Sequence, residues 1–260
     1  MLQKDPKIEF ISPEMEVSMG DTWFEVVHMD HFWIRRRCEI LQGLAGAVIA
    51  DARQIGEIGC GNGIVQRQIE SIFGKSVDGF DLNTNALKNN LSQRSRVIRY
   101  DICENRSEML GVYDVMLMLD VLEHIADEDP FLYSANRMLA KDGYMVINVP
   151  AFKKFYSRYD SAVGHIRRYT IALLSDRLRA AGFACVAYSY WGLPLLPLLL
   201  LRKLLIRNID ESTVIQRGMS PGPKWSNEAL MMLSRLERVP NHRLGTSLMA
   251  VFRKVSDAKK

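Results

Sequence analysis

The sequence predicts an α/β protein organised on a doubly wound, mostly parallel sheet, and three observations carry that expectation. Apolar strand-like runs recur within 54–63, 76–83, 96–103, 115–119 and 141–150, and they alternate with segments of helical periodicity. The first run passes directly into Gly59, Gly61 and Gly63 and then into an amphipathic pattern from Ile64 to Phe73. Acids stand at the ends of the later runs, as Asp81, Asp101 and Asp120, where open α/β sheets place their ligands. A chain of 260 residues with 48% hydrophobic content can bury a sizeable core. It is read as an N-terminal helical lid segment, 1–45, and a main domain, 46–260, in which 191–245 is a helical insertion.

Met1 to Gly20 reads as an irregular lead-in. From Asp21 to Gly43 aromatic residues interleave with arginines, in Trp23-Phe24 and in His31-Phe-Trp-Ile-Arg-Arg-Arg37, while Ile34, Cys38 and Leu41 recur near helical spacing. Such a helix either packs on the core or closes over a cavity. In the second case Trp33 covers a small molecule and Arg35 or Arg37 meets a carboxylate. The glycine turn comes next. Its residues permit positive φ and close approach of a ligand, and the helix behind it offers free N–H groups to a carboxylate or phosphate. Glu57 precedes the first of these glycines by two residues, which suits a ligand carrying an ammonium group. A dinucleotide fingerprint would instead need a third glycine at position 64, where the chain has Ile64. An NAD-dependent oxidoreductase is therefore disfavoured.

At the end of the second run Asp81 is placed to accept hydrogen bonds from a ribose diol, or else to serve a helix start at Asn83 and Thr84. Asp101, with Ile102 beside it, stands where an adenine amino group could be read. The near-continuous run Val115 to Leu119 is what a strand buried on both faces shows, and it ends in Asp120, Glu123 and His124. Helices are expected from Pro130 to Leu139 and Thr170 to Ala181. Strands are expected from Phe183 to Tyr190 and from Thr246 to Lys254, the last two forming an antiparallel edge.

Glu57-Ile-Gly-Cys-Gly-Asn-Gly63, Phe80-Asp-Leu-Asn83, Tyr100-Asp-Ile102, Asp120-Val-Leu-Glu-His124 and Leu139-Ala-Lys-Asp-Gly143 resemble, in order and spacing, the class I methyltransferases of the ubiquinone-biosynthesis-like type. The likeness covers roughly residues 50–190. His31-Phe-Trp-Ile-Arg35, Val163-Gly-His-Ile-Arg-Arg-Tyr-Thr170 and Gly245 to Lys254 are similar to a bacterial subgroup of unassigned substrate. Asn62 stands where threonine or serine is frequent, and Asp142 replaces a usual proline.

The resemblance implies a seven-stranded sheet with an antiparallel last strand. It also implies an enzyme that uses S-adenosylmethionine to methylate a small-molecule or lipid-linked acceptor, at oxygen or nitrogen. Cofactor contacts would fall on Glu57, Gly59, Cys60, Gly61, Gly63, Asp81, Leu82, Asp101, Ile102, Leu119, Asp120 and Arg35. Acceptor contacts would fall on Trp33, Tyr159, Arg168 and Tyr169. His165 and His124 are the candidate bases, because an imidazole titrates near neutrality; each could instead satisfy a local backbone group. A protein that binds the cofactor without catalysis is the competing reading.

Cys38, Cys60, Cys103 and Cys185 show no metal spacing, so reduced thiols, no metal and a cytoplasmic location are expected. Met1 to Pro13 mixes charge and prolines without an apolar run, so no signal peptide is expected. A net charge of +4 is too small to imply nucleic acid. Trp191-Gly-Leu-Pro-Leu-Leu-Pro-Leu-Leu-Leu-Leu201 is far shorter than the roughly 20 residues of a membrane span. With the basic residues that follow it, 191–207 suits a peripheral membrane contact, a lipid-linked substrate, a homodimer interface or a buried helix.

Overall fold

The computed structural model describes residues 8–13, 15, 27–205 and 223–258, apart from the side chains of 204 and 205. Trp23, Phe24 and Ser220 to Gly222 therefore lie outside the described residues. Within them, strands β1 (Ile8–Phe10), β2 (Ile55–Ile58), β3 (Asp78–Asp81), β4 (Val97–Arg99), β5 (Tyr113–Leu119), β6 (Leu139–Pro150), β7 (Phe183–Trp191) and β8 (Ser247–Lys254) form one sheet. Their order is β1-β4-β3-β2-β5-β6-β8-β7. All pairs are parallel until β8, which runs antiparallel to β6 and β7.

Eight strands replace the seven expected. The addition is β1, which pairs Ile8 with Val97 at the sheet edge and lies in what reads from sequence as an irregular lead-in. Three residues are too few to display a period of two. The strand is held by partners distant in sequence, such as the Glu9 carboxylate on Arg96.

Central β5 is buried throughout Val115 to Leu119, as its uninterrupted apolar run requires when helices cover both faces. One core, with Phe80, Tyr113, Leu132, Leu174 and Phe252, fills one side of the sheet. The other, with Ile40, Leu41, Ile49, Val65, Ile69 and Trp191, is closed largely by α1 (Phe32–Asp51) and α2 (Ile64–Phe73). Asp142 has a φ of 63° in the turn that enters the paired part of β6. Proline cannot adopt that angle, which accounts for its replacement here.

Helices α3 (Thr84–Lys88), α4 (Glu128–Met138), α5 (Arg158–Ala162) and α6 (Ile171–Ala180) follow, and the segment between β7 and β8, read from sequence as an insertion, carries α7 (Leu196–Leu205) and α8 (Lys224–Ser234). Helix α8 docks on α1 through polar contacts: Phe32 N donates to Asn227 Oδ1 at 2.8 Å, and Arg35 pairs with Glu228 at 2.5 Å. Glu237 is buried against Arg36 and accepts the backbone N–H groups of Gly192 and Leu193. The start of α1 and the insertion thus form one wall beside the carboxyl ends of the strands. Among the described residues no helix is long and apolar enough to cross a membrane.

Candidate active site

At the carboxyl end of β2 the chain turns through Gly59, Gly61 and Gly63, with φ of 72°, 51° and 73°. A Cβ on Gly59 would lie 2.4 Å from Val121 Cγ2, so only glycine lets the two loops approach this closely. The turn lines a cavity of about 450 Å³ together with Glu57, Cys60, Asp81, Leu82, Asp101, Ile102, Leu119, Asp120 and His124. The sequence-predicted cofactor residues therefore converge, with two exceptions: Gly63 shapes the turn without lining the cavity, and Arg35 is turned away to Glu228.

Of the two arginines expected to meet a carboxylate, Arg37 lines the cavity and Arg35 does not. On α1, Ile34, Arg37 and Leu41 follow at spacings of three and four, so Arg37 shares the buried face and Arg35 does not. That register was available in the sequence. The Arg37 guanidinium donates to Asp120 Oδ2 at 2.5 Å.

Asp120 itself has a φ of 60°, uncommon for an L residue. Its N–H donates to Asn148 O at 2.8 Å, and its carboxylate accepts from Asn148 Nδ2 at 2.6 Å. Asn148 Oδ1 in turn accepts from Trp191 Nε1 at 2.9 Å, and the Trp33 ring rests 4.3 Å from that of Trp191. Asn148 is a positioning residue that sequence reasoning missed, since an asparagine inside an apolar strand carries no motif.

Glu57 is 2% exposed, and its Oε2 has no hydrogen-bond partner. Burial pushes its carboxyl up to about 8 even though the Arg37 charge opposes the shift. Asp81 is half-buried and accepts from Gly61 N and Asn83 N, each at 2.8 Å; burial raises its carboxyl as well. Asp101 Oδ1 accepts from Cys103 N at 2.8 Å, and Asp101 and Ile102 both line the cavity. The Cys60 thiol is pushed well up by burial and by the charges of Asp81 and Glu57, and so stays protonated.

A second cavity of about 290 Å³ shares Asp120 with the first. It is lined by Trp33, Tyr159, His165 and Arg168 from the sequence expectations, and by Leu198, Leu199 and Arg202 of the insertion. Tyr169 does not reach it. That ring is fully buried, and its hydroxyl donates to Glu128 Oε1 at 2.6 Å with Leu122 O at 3.2 Å. Tyr169→Phe is accordingly expected to lower unfolding free energy by about 1–3 kcal/mol, because Glu128 loses a buried donor. Thermal unfolding checks this, and acceptor KM should not move.

His165 Nδ1 faces Asp160 Oδ1 at 3.1 Å, and the same oxygen accepts from Arg168 Nε at 2.7 Å. Burial alone would raise the Asp160 carboxyl, but the hydrogen bond from His165 and the charge of Arg168 hold it near 2. An ionised Asp160 assigns the proton to His165 Nδ1 and leaves Nε2 as a lone-pair acceptor. Nε2 lies 3.6 Å from Glu123 Oε1, a fully buried carboxyl that burial and then Asp120 push well up. The His124 ring meets that of His165 edge-on at 4.9 Å, and burial lowers its imidazole to about 4. Although the sequence offers no metal spacing, ligand atoms of Glu123, His124 and His165 lie within 4.8 Å of one another. The trio can share a proton or, after contraction, hold a cation.

The methyltransferase-domain family profile matches residues 29–188. The chain belongs to the methyltransferase family. It is of the class I, S-adenosylmethionine-dependent kind, whose sheet order and antiparallel last strand it shares. A probable S-adenosylmethionine-dependent methyltransferase of Mycobacterium tuberculosis is 26% identical to this methyltransferase over 188 residues, 70% of the chain and 66% of that relative. The match thus spans just under two thirds of the relative's length. Two solved structures have the same fold. An Archaeoglobus fulgidus S-adenosylmethionine-dependent methyltransferase has a TM-score of 0.53 at 19% identity, covering 84% of this chain and 93% of the other. Phosphoethanolamine N-methyltransferase 2 of Haemonchus contortus, solved with S-adenosylmethionine, has a TM-score of 0.51 at 21% identity, covering 78% and 49%.

Proposed function

We propose that this methyltransferase transfers the methyl group of S-adenosylmethionine to oxygen or nitrogen of a small-molecule or lipid-linked acceptor. The observation that carries the reading is the pair of cavities that meet at Asp120, one walled by the family's motif residues and the other by the insertion. The orphaned Glu57 oxygen supports the cofactor's fit, since a buried carboxylate oxygen without a donor suits an ammonium group. Glu57 would hold that ammonium, the N–H groups at the start of α2 the carboxylate, Asp81 the ribose hydroxyls, and Asp101 with Ile102 the adenine. When bound, the cofactor supplies an electrophilic methyl group on a sulfonium.

The protein's part is to align the acceptor, exclude water and take one proton. Trp33 and the insertion cover the second cavity, and His165 Nε2, oriented by Asp160, is the atom that receives the proton. His124, with its imidazole near 4, is the weaker base at neutral pH. Asp81→Ala is expected to weaken cofactor-product binding by about 1–3 kcal/mol, roughly five- to a hundredfold; calorimetry that finds unchanged affinity contradicts the ribose assignment. Incubation with methyl-labelled cofactor and fractionated metabolite and lipid extracts tests the function. Label in a low-mass or lipid product supports methyl transfer. Cofactor binding with no labelled product in any fraction points to the non-catalytic reading.

A further inference from the structure

We infer that the acceptor is an amphipathic anion, its acidic group held by Arg202 and its apolar chain running out along α7. The inference rests on the reading of the second cavity as the acceptor site.

Five arginines near the two cavities each have an acid. Arg35 pairs with Glu228, Arg36 with Glu237, Arg37 with Asp120, Arg167 with Glu128 and Arg168 with Asp160. Arg202 has none among the described residues. Its guanidinium lies 4.3 Å from the centroid of the Tyr159 ring and forms part of the cavity wall. A half-buried cation with no carboxylate in salt-bridge contact can take an anion there; burial disfavours its charged form, and the more distant charge of Asp160 only opposes that shift. A planar guanidinium stacked on an aromatic ring is also oriented to grip a carboxylate or phosphate through two donors.

The chain's course follows from size and exposure. At about 290 Å³ the cavity falls at the small end of ligand sites, enough for a reacting head but not for a long molecule. Beyond its mouth, Leu198 and Leu201, three residues apart and so neighbours on one side of α7, are 44% and 52% exposed. This leucine track begins at the cavity wall, since Leu198 lines the cavity and is also exposed outside it. An alkyl chain leaving the head site would lie on it and lose its contact with water.

The test uses the full chain saturated with S-adenosylhomocysteine and three monomeric probes: decyl phosphate, decanoate and decanol. Both anions should bind at least tenfold more tightly than decanol, and the tighter of the two identifies the head group as phosphate or carboxylate. Arg202→Gln should lower anion affinity by about ten- to a hundredfold, leave decanol unchanged and leave S-adenosylhomocysteine affinity unchanged. Arg202→Lys should keep part of the preference. If Arg202→Gln does not fold, modification of wild-type Arg202 by phenylglyoxal, mapped by mass spectrometry, replaces it; decyl phosphate should protect that residue. Equal binding of decanol and the anions, an indifferent Arg202→Gln variant or the absence of protection overturns the inference while leaving the cofactor site standing. Failure of the wild-type chain to bind S-adenosylhomocysteine removes the underlying reading instead.

Discussion

Glu57→Gln is expected to weaken S-adenosylhomocysteine binding by about 3–5 kcal/mol, on the order of 10²–10⁴-fold, because it removes the carboxylate opposite a buried ammonium. The same change should not destabilise the free protein, which separates a binding role from a structural one. In the free chain the Glu57 carboxyl is held near 8, above its ordinary value of 4.5, by burial. A group raised in this way keeps its proton when folded over a range in which the unfolded chain has lost it. Its contribution to stability is therefore complete below about 4.5 and declines as pH rises to about 8. Glutamine does not titrate. Unfolding curves should consequently show the variant gaining on the wild type across that window and holding its advantage above it. Unchanged cofactor affinity, or a variant less stable than wild type at pH 8, contradicts the assignment.

His165→Ala is expected to lower methyl transfer by about 10²–10⁴-fold while S-adenosylhomocysteine affinity changes little. The imidazole lies in the second cavity, outside the lining of the first, and Asp160 fixes its tautomer. His124→Ala should cost less, because an imidazole lowered to about 4 is a poor proton acceptor at neutral pH. A loss of cofactor affinity that parallels the loss of turnover would make His165 a structural residue. An unaffected rate would leave catalysis to alignment alone.

The lining of the glycine-turn cavity was largely legible in the sequence because its residues are local. Glu57 to Gly63, Asp81, Asp101 and Asp120 each end a strand, and a parallel sheet brings consecutive strand ends together without any knowledge of packing. The helix from Ile64 to Phe73 and the core of β5 were equally plain, since each shows its own period. Features set by distant contacts were not. Strand β1 is defined by β4, Asn148 takes its place from Asp120 and Trp191, and Arg202 stands out only because no acid pairs with it among the described residues. Tyr169 shows the reverse error. It belongs to a polar, aromatic motif that reads as an acceptor clamp, yet its hydroxyl is fully used by Glu128 and Leu122. Between Arg35 and Arg37 the sequence left the choice open, and the helical register of α1 settles which of them lines the cavity. The lid expected over 1–45 depends in part on Trp23 and Phe24, outside the described residues; the described α1 buries Ile34, Ile40, Leu41 and Ile49 in the cores.

The central claim is that the glycine-turn cavity holds a ligand whose ammonium group is neutralised by Glu57. Calorimetric titration with S-adenosylhomocysteine at pH 7, repeated in buffers of different ionisation enthalpy, tests it most directly. With the Glu57 carboxyl near 8 in the free protein and ionised beside the ammonium, binding should be one-to-one and release close to one proton, and Glu57→Gln should abolish that release. No saturable binding, or wild-type binding with the same proton balance as the variant, would contradict the account.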